Sequence, residues 1–166
     1  MRTILDSHMG VALNKQVNAE IWSAYLYLSM SYDMKSKGFA GMAHWFDVQA
    51  KEEFGHAKRL MEYIVAGDGK VKFEPVAEVQ QEWNSPKDAF ADTLMHEKVV
   101  TEKIHELMDM AVADKDYATQ NMLNWFIDEQ VEEEDTARAL LATLEAIEGD
   151  KAAMYLFDSK LAARND

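Results

Sequence analysis

Side chains able to bind a metal ion recur along this sequence at helical spacing: Glu20, Glu53 with His56, Glu97, and Gln130 with Glu133. Glu20 and Glu53 are 33 residues apart, and so are Glu97 and Gln130, with Glu53-x-x-His56 in the first half answered by Gln130-x-x-Glu133 in the second. The halves read as two copies of one half-site related by pseudo-two-fold symmetry. On a helix, positions i and i+3 lie about 5–6 Å apart at Cβ, so each pair can aim two ligands at one point.

Each of these residues interrupts an apolar stripe. Glu20 falls between Met9, Leu13, Val17 and Ala24, Tyr27, Leu28; Glu53 and His56 between Phe46, Gln49 and Leu60, Ile64. Glu97 falls between Phe90, Leu94 and Thr101, Ile104, and Gln130 with Glu133 between Leu123, Phe126 and Ala137, Leu140. A single acid on a stripe ordinarily sits at its edge and reaches water. Here the interruptions coincide in height. Glu20 lies 18 residues before Gly38 and Glu53 lies 15 after it; Glu97 lies 19 before Asp116 and Gln130 lies 14 after it. In antiparallel hairpins such mismatches amount to only ~5 Å along the axis.

Carboxylates gathered in a core need compensation, because an unpaired buried one costs several kcal/mol. The stripes offer no lysine or arginine at these levels. A cation from solution is the natural counter-charge, and oxygen ligands with one imidazole suit iron or manganese better than copper. The chain has no cysteine, which excludes disulfides, thiolate zinc sites and iron–sulfur clusters.

Helical periodicity runs through four segments, about 5–37, 39–66, 87–114 and 117–147. Short breaks around Gly38 and Asp116 predict two antiparallel hairpins. Between them, Gly67-Asp68-Gly69 ends a helix, and a stretch with Pro75 leads to Ser85-Pro86-Lys87-Asp88, an N-cap with proline at the first helical position. That stretch is long enough to run back along the bundle, since extended chain spans ~3.3 Å per residue and a helix only ~1.5 Å. After Gly149, residues 150–164 form a short amphipathic tail through Ala153, Leu156, Phe157 and Leu161. Its stripe is expected to be buried against other copies of the chain. The expected architecture is all-α: a four-helix bundle over about 5–147 with one long crossover and a short fifth helix, all one domain of 166 residues.

A formal net charge of −13 repels a phosphate backbone and attracts cations, so no nucleic-acid partner is expected. Residues 1–6 lack the apolar core of a signal peptide and no apolar run approaches membrane-spanning length, making the cytoplasm the expected location, with no membrane partner.

Over essentially its whole length the sequence resembles the ferritins, in particular the non-haem ferritins of bacteria and archaea. The stretches that carry the resemblance are Asn18-Ala19-Glu20 with Tyr25-Leu26-Tyr27, Glu52-Glu53-Phe54-Gly55-His56, His96-Glu97, and Asn124-Trp125-Phe126 leading to Glu129-Gln130-Val131-Glu132-Glu133-Glu134. The resemblance implies a ferritin-like fold and a ferroxidase that binds two Fe(II) ions per subunit, oxidises them with O2 or H2O2, and stores a ferric oxyhydroxide mineral inside a homo-oligomeric cage of about 24 subunits. It places the first iron at Glu20, Glu53 and His56, with Glu53 bridging, and the second at Glu97 and Gln130 with Glu133 assisting. Prokaryotic members often add a third iron, whose matching residues here are Glu52, Glu129, Glu132 and Glu133. Tyr27 matches a tyrosine that can give an electron during oxidation; a core tyrosine bonded to a carboxylate is the other reading.

Two departures separate the chain from haem-containing bacterioferritins. Phe54 stands where that group has its axial methionine, and Gln130-x-x-Glu133 replaces its second Glu-x-x-His, so no haem is expected. The neutral amide at Gln130 also suggests a transit site that lets oxidised iron move on. The acidic residues lining the three-fold channel of animal ferritins are matched by Gln120 and Leu123. Two other readings stay open: a rubrerythrin-like peroxidase, which would usually carry a cysteine site, and a helical scaffold holding structural divalent ions. His8, His44, His96 and His105 are read as surface or structural, and most of the methionines as core filler.

Overall fold

The computed structural model describes residues 4–166, and these form five helices: α1 (Ser7–Ser36), α2 (Ala40–Ala66), α3 (Pro86–Ala113), α4 (Tyr117–Ala146) and α5 (Lys151–Leu161). Local chemistry sets most of the boundaries. Asp6, Ser85, Asp116 and Asp150 each cap a helix by accepting from a backbone N–H of the first turn, and Pro86 opens α3 where no amide hydrogen is needed. Gly38 and Gly149 end α1 and the region after α4 at φ +86° and +84°, a backbone conformation natural to glycine. At the end of α2 the left-handed residue is Asp68, at φ 68°, and not either flanking glycine. Gly67 and Gly69 are required for space instead, since a Cβ on either would come within 2.8 Å of the Leu5 side chain.

Helix α1 packs along α2, and α3 along α4, as the two hairpins predict. The crossover between α2 and α3 has no regular structure, so its backbone polar groups must find partners elsewhere. Side chains of α1 supply them. Asn14 donates to the Lys70 carbonyl and accepts from Lys72 N–H, Trp22 donates to the Glu78 carbonyl, Ser29 to the Gln80 carbonyl, and Asp33 accepts from Trp83 N–H. The strap is thereby pinned along α1 from Asn14 to Asp33.

The hydrocarbon interior is divided in two. One cluster gathers Met9, Leu13, Val17, Leu60, Ile64, Ile104, Leu123 and Phe126. The other gathers Tyr27, Met30, Met34, Met42, Phe46, Phe90, Leu144 and Phe157. The polar residues singled out above fall between these clusters on every helix. Leu28, assigned to a stripe, is instead 39% exposed.

The tail corrects one expectation. Helix α5 buries much of its stripe on its own chain, with Phe157 and Leu161 in the second cluster and Met154 against it, while Leu156 stays exposed. Gly41, in the first turn of α2, makes this possible. A Cβ there would stand 1.7 Å from the Asp158 carbonyl oxygen, while the Asp158 side chain accepts from Met42 N–H at 2.8 Å. Gly41→Ala is expected to push α5 off the bundle at a cost of roughly 1–3 kcal/mol. Thermal unfolding checks this, at about 2–4 °C of midpoint per kcal/mol for a chain of this size. A midpoint equal to the parent's would refute the account of Gly41.

Candidate metal centre

In the layer between the two clusters, Glu20 from α1, Glu53 and His56 from α2, Glu97 from α3, and Gln130 and Glu133 from α4 are all buried. Their donor atoms form overlapping triads. Glu20, Glu53 and His56 each offer one atom within 4.8 Å of the others; so do Glu53, Glu97 and Glu133, and so do His56, Glu129 and Glu133. Glu53 belongs to the first two groups and Glu133 to the last two. The imidazole of His56 lies 3.2 Å from Glu53 Oε2 through Nδ1 and 3.7 Å from Glu129 Oε1 through Nε2.

The donors that face these carboxylates are neutral amides and a phenol. Gln16 donates to Glu20 Oε1 at 3.0 Å, Gln49 to Glu133 Oε2 at 2.7 Å and to Glu53 Oε1 at 3.4 Å, and Tyr27 O–H to Glu97 Oε1. Glu20 Oε2 is buried with no hydrogen-bond partner. A carboxylate oxygen in that state awaits a cation or a proton.

Electrostatics agree. Burial, reinforced by Glu97 and Glu20, pushes the Glu53 carboxyl well above its ordinary value. Burial raises Glu97 to about 7, against the lowering effect of the Tyr27 and Gln130 hydrogen bonds. Burial and the charge of Glu97 raise Glu133 to about 8. The Tyr27 phenol is likewise pushed up by burial and by the acids around it. Oxygen donors crowded until they resist ionisation, with one imidazole, fit a hard or borderline divalent ion, which restores their charge by replacing protons.

Gln130 turns its amide N–H groups to Glu97, donating to Oε2 at 3.1 Å and to the main-chain carbonyl at 3.2 Å, and also to Thr101 Oγ1 at 3.2 Å. It holds Glu97 in place, and Glu133 completes the second triad. Glu129 is partly buried beside His56, whereas Glu52 and Glu132 are exposed and belong to none of the triads. Tyr27 is fully buried. Leu123 has no exposure at all and lies in the core, so it offers no surface to a channel, and Gln120 donates to the Ala111 carbonyl.

His96 lies against Ser23 Oγ at 2.7 Å among the rings of Trp22 and Tyr27, where burial lowers it to about 4. His44 contacts the Arg164 carbonyl, and His8 and His105 are exposed. Sequence reasoning missed Gln49, Thr101 and Arg164 as neighbours of the centre. Gln49 carried a signal, being a polar residue on a core stripe four positions before Glu53.

A bundle of two hairpins joined by one long crossover, with carboxylates and a histidine meeting at mid-height, defines the ferritin-like class of helical proteins. The comparisons agree. Residues 11–147 match the model of the Ferritin family, described as a ferritin-like domain. The chain belongs to the ferritin family. It is 40% identical over 161 residues to a bacterial non-heme ferritin of Bacteroides fragilis, covering 97% of this chain and 100% of that one. A bacterial non-heme ferritin of Staphylococcus aureus is 36% identical over 161 residues, covering 97% of each. Among solved structures, an open-pore ferritin from the hyperthermophilic archaeon Archaeoglobus fulgidus matches with a TM-score of 0.96 at 43% identity, covering 97% of this chain and 99% of that one.

Proposed function

We propose that the chain, acting as one domain, stores iron by oxidising Fe(II) at the buried layer and passing Fe(III) on to a mineral. The observation that carries this reading is the pair of triads sharing Glu53, with an unpartnered Glu20 oxygen at one end. Family membership supports iron as the substrate.

Two Fe(II) ions occupy Glu20, Glu53, His56 and Glu53, Glu97, Glu133. Their binding displaces the protons held at Glu97 and Glu133. Each ion gives one electron; O2 takes both and leaves with two protons as hydrogen peroxide, or H2O2 takes both and leaves with two protons as two waters. The anionic ligands favour the ferric state by neutralising its extra charge. The amide of Gln130 steadies Glu97 without adding charge, so the product is held loosely enough to leave. Glu129 and Glu133 offer the start of an outward path, with Glu52 and Glu132 beyond them as further stations or a third iron position. Tyr27 can supply an additional electron, its proton passing to Glu97, which it already touches.

A mineral needs an enclosure, and we take the working form to be a homo-oligomeric cage of about 24 copies, as is usual for this fold. An apolar groove of about 450 Å³ lined by Ile21, Tyr25, Leu28, Phe54 and Val76 supports docking of a second copy, as do the exposed Tyr155 and Leu156 on α5. No helix among the described residues is long and apolar enough to cross a membrane. The cytoplasm is the proposed location, and neither haem nor nucleic acid is proposed as a partner.

Aerobic addition of Fe(II) tests the reading. Rapid amber colour with many irons retained per chain, in an assembly that light scattering sizes as a large hollow particle, is the expected result. Retention of one or two ions without turnover would make the chain a structural-ion scaffold instead.

A further inference from the structure

Beyond α5 the chain returns to the metal centre. The Arg164 guanidinium donates to the Trp45 carbonyl at 3.0 Å, to Gln49 Oε1 at 3.0 Å and to Glu52 Oε2 at 2.9 Å, and lies over the Trp45 ring, 4.5 Å from its centre. His44 Nε2 meets the Arg164 carbonyl at 2.7 Å, fixing the backbone as well.

The contact with Gln49 has the longest reach. Gln49 is 1% exposed, and its amide bridges the guanidinium on one side and two carboxylates on the other. The two ends of an amide are nearly equal in shape, so packing alone barely distinguishes one orientation from the reverse. Polarity does: turned over, Gln49 would set its oxygen against Glu133 and Glu53, which accept when ionised. Arginine has five donors and no acceptor, so its presence behind Gln49 admits only the orientation in which Nε2 faces the acids. Glu133 takes the shorter of the two bonds, and because it is shared between the second and third triads its direction decides which of them it completes.

We propose that Arg164 is a positioning residue for the metal centre: through Gln49 it holds Glu133 in the direction of the second cation. This rests on the paired-cation reading given above. Removal of groups that orient a ligand from behind typically weakens metal binding by about 10–100-fold. The effect should fall on the second cation, because Glu20 Oε1 is held by Gln16, and Gln49 reaches Glu53 only at 3.4 Å.

Cobalt(II), which needs no oxidation chemistry to be counted, is titrated into the full chain while its visible absorption is followed. Two bands of uptake are expected for the parent, and in Arg164→Ala the second should weaken by about tenfold or more with the first unchanged. In a Gln49→Leu background the same substitution should add nothing further, since the route through the amide is already cut. Arg164→Met, which keeps the stem over Trp45, repeats the comparison if the alanine variant unfolds.

Unchanged binding in both Arg164 variants, or an equal loss with and without Gln49, would overturn the inference while leaving the paired site standing. A parent that takes up no pair of cobalt ions would sink the paired-site reading and this inference with it.

Discussion

Glu53→Ala should end paired cation binding altogether, with both apparent affinities falling by at least about 100-fold and aerobic Fe(II) oxidation falling with them. Glu53 is the only carboxylate common to the triads with Glu20 and with Glu97, so one substitution removes a ligand from each. It is also 1% exposed, so its removal leaves a gap inside the bundle. The control is Glu62→Ala: that side chain is exposed on α2 and outside the triads, so the pair should bind as in the parent. Anaerobic titration and a stopped-flow oxidation trace measure both. If the Glu53 variant still took up two ions with parental affinity, a bridging role would be untenable.

The second large effect is on stability. In the metal-free protein Glu97 and Glu133 titrate at about 7 and about 8, against 4.5 for an ordinary glutamate. Below pH 4.5 both carry a proton whether folded or unfolded, and the native state bears no penalty. Above it the unfolded chain ionises first. Each group then costs the native state up to about 1.4 kcal/mol per pH unit, until the folded group ionises as well. The metal-free chain should therefore lose stability steadily from about pH 5 to about pH 8 and level off above.

Two further measurements sharpen this expectation. Glu133→Gln should flatten part of the slope and raise the midpoint at pH 8, because a neutral amide of the same shape escapes the penalty. Saturating cobalt(II) should offset part of the loss, adding about 2.7 kcal/mol per site when present at 100 times its dissociation constant. Denaturant unfolding across the pH range, with and without metal, decides the matter. A metal-free stability that rose with pH over this window would contradict the buried, crowded state of these acids.

Much of this was legible in the sequence, for identifiable reasons. Caps, glycines and the proline at 86 act on their immediate neighbours, so they marked the helix ends to within a few residues. The 33-residue repeat survived because it reflects helix length, which a turn and an axial rise translate directly into height. What failed depended on contacts far apart in the chain. Nothing adjacent in the chain marks Gly41 out, and only the approach of Asp158 shows that its missing side chain is a seat for α5. Gln130 stands in the layer where its spacing puts it, but the direction of its amide depends on neighbours the spacing does not name, here the Glu97 carboxylate and carbonyl. Arg164 left no trace of this role, standing at the very end of the amphipathic tail and finding its partners more than a hundred residues away.

The strap pinned along α1 has a bearing on how copies find one another. Val76 belongs to that strap, while Leu28 lies on α1 and Phe54 on α2, and all of them line one groove. The groove therefore comes into being only when hairpin and strap have closed. If the proposed cage is built through this groove, a chain caught with its connection undone would lack a complete docking face, and subunits that have not finished maturing would be screened out before assembly.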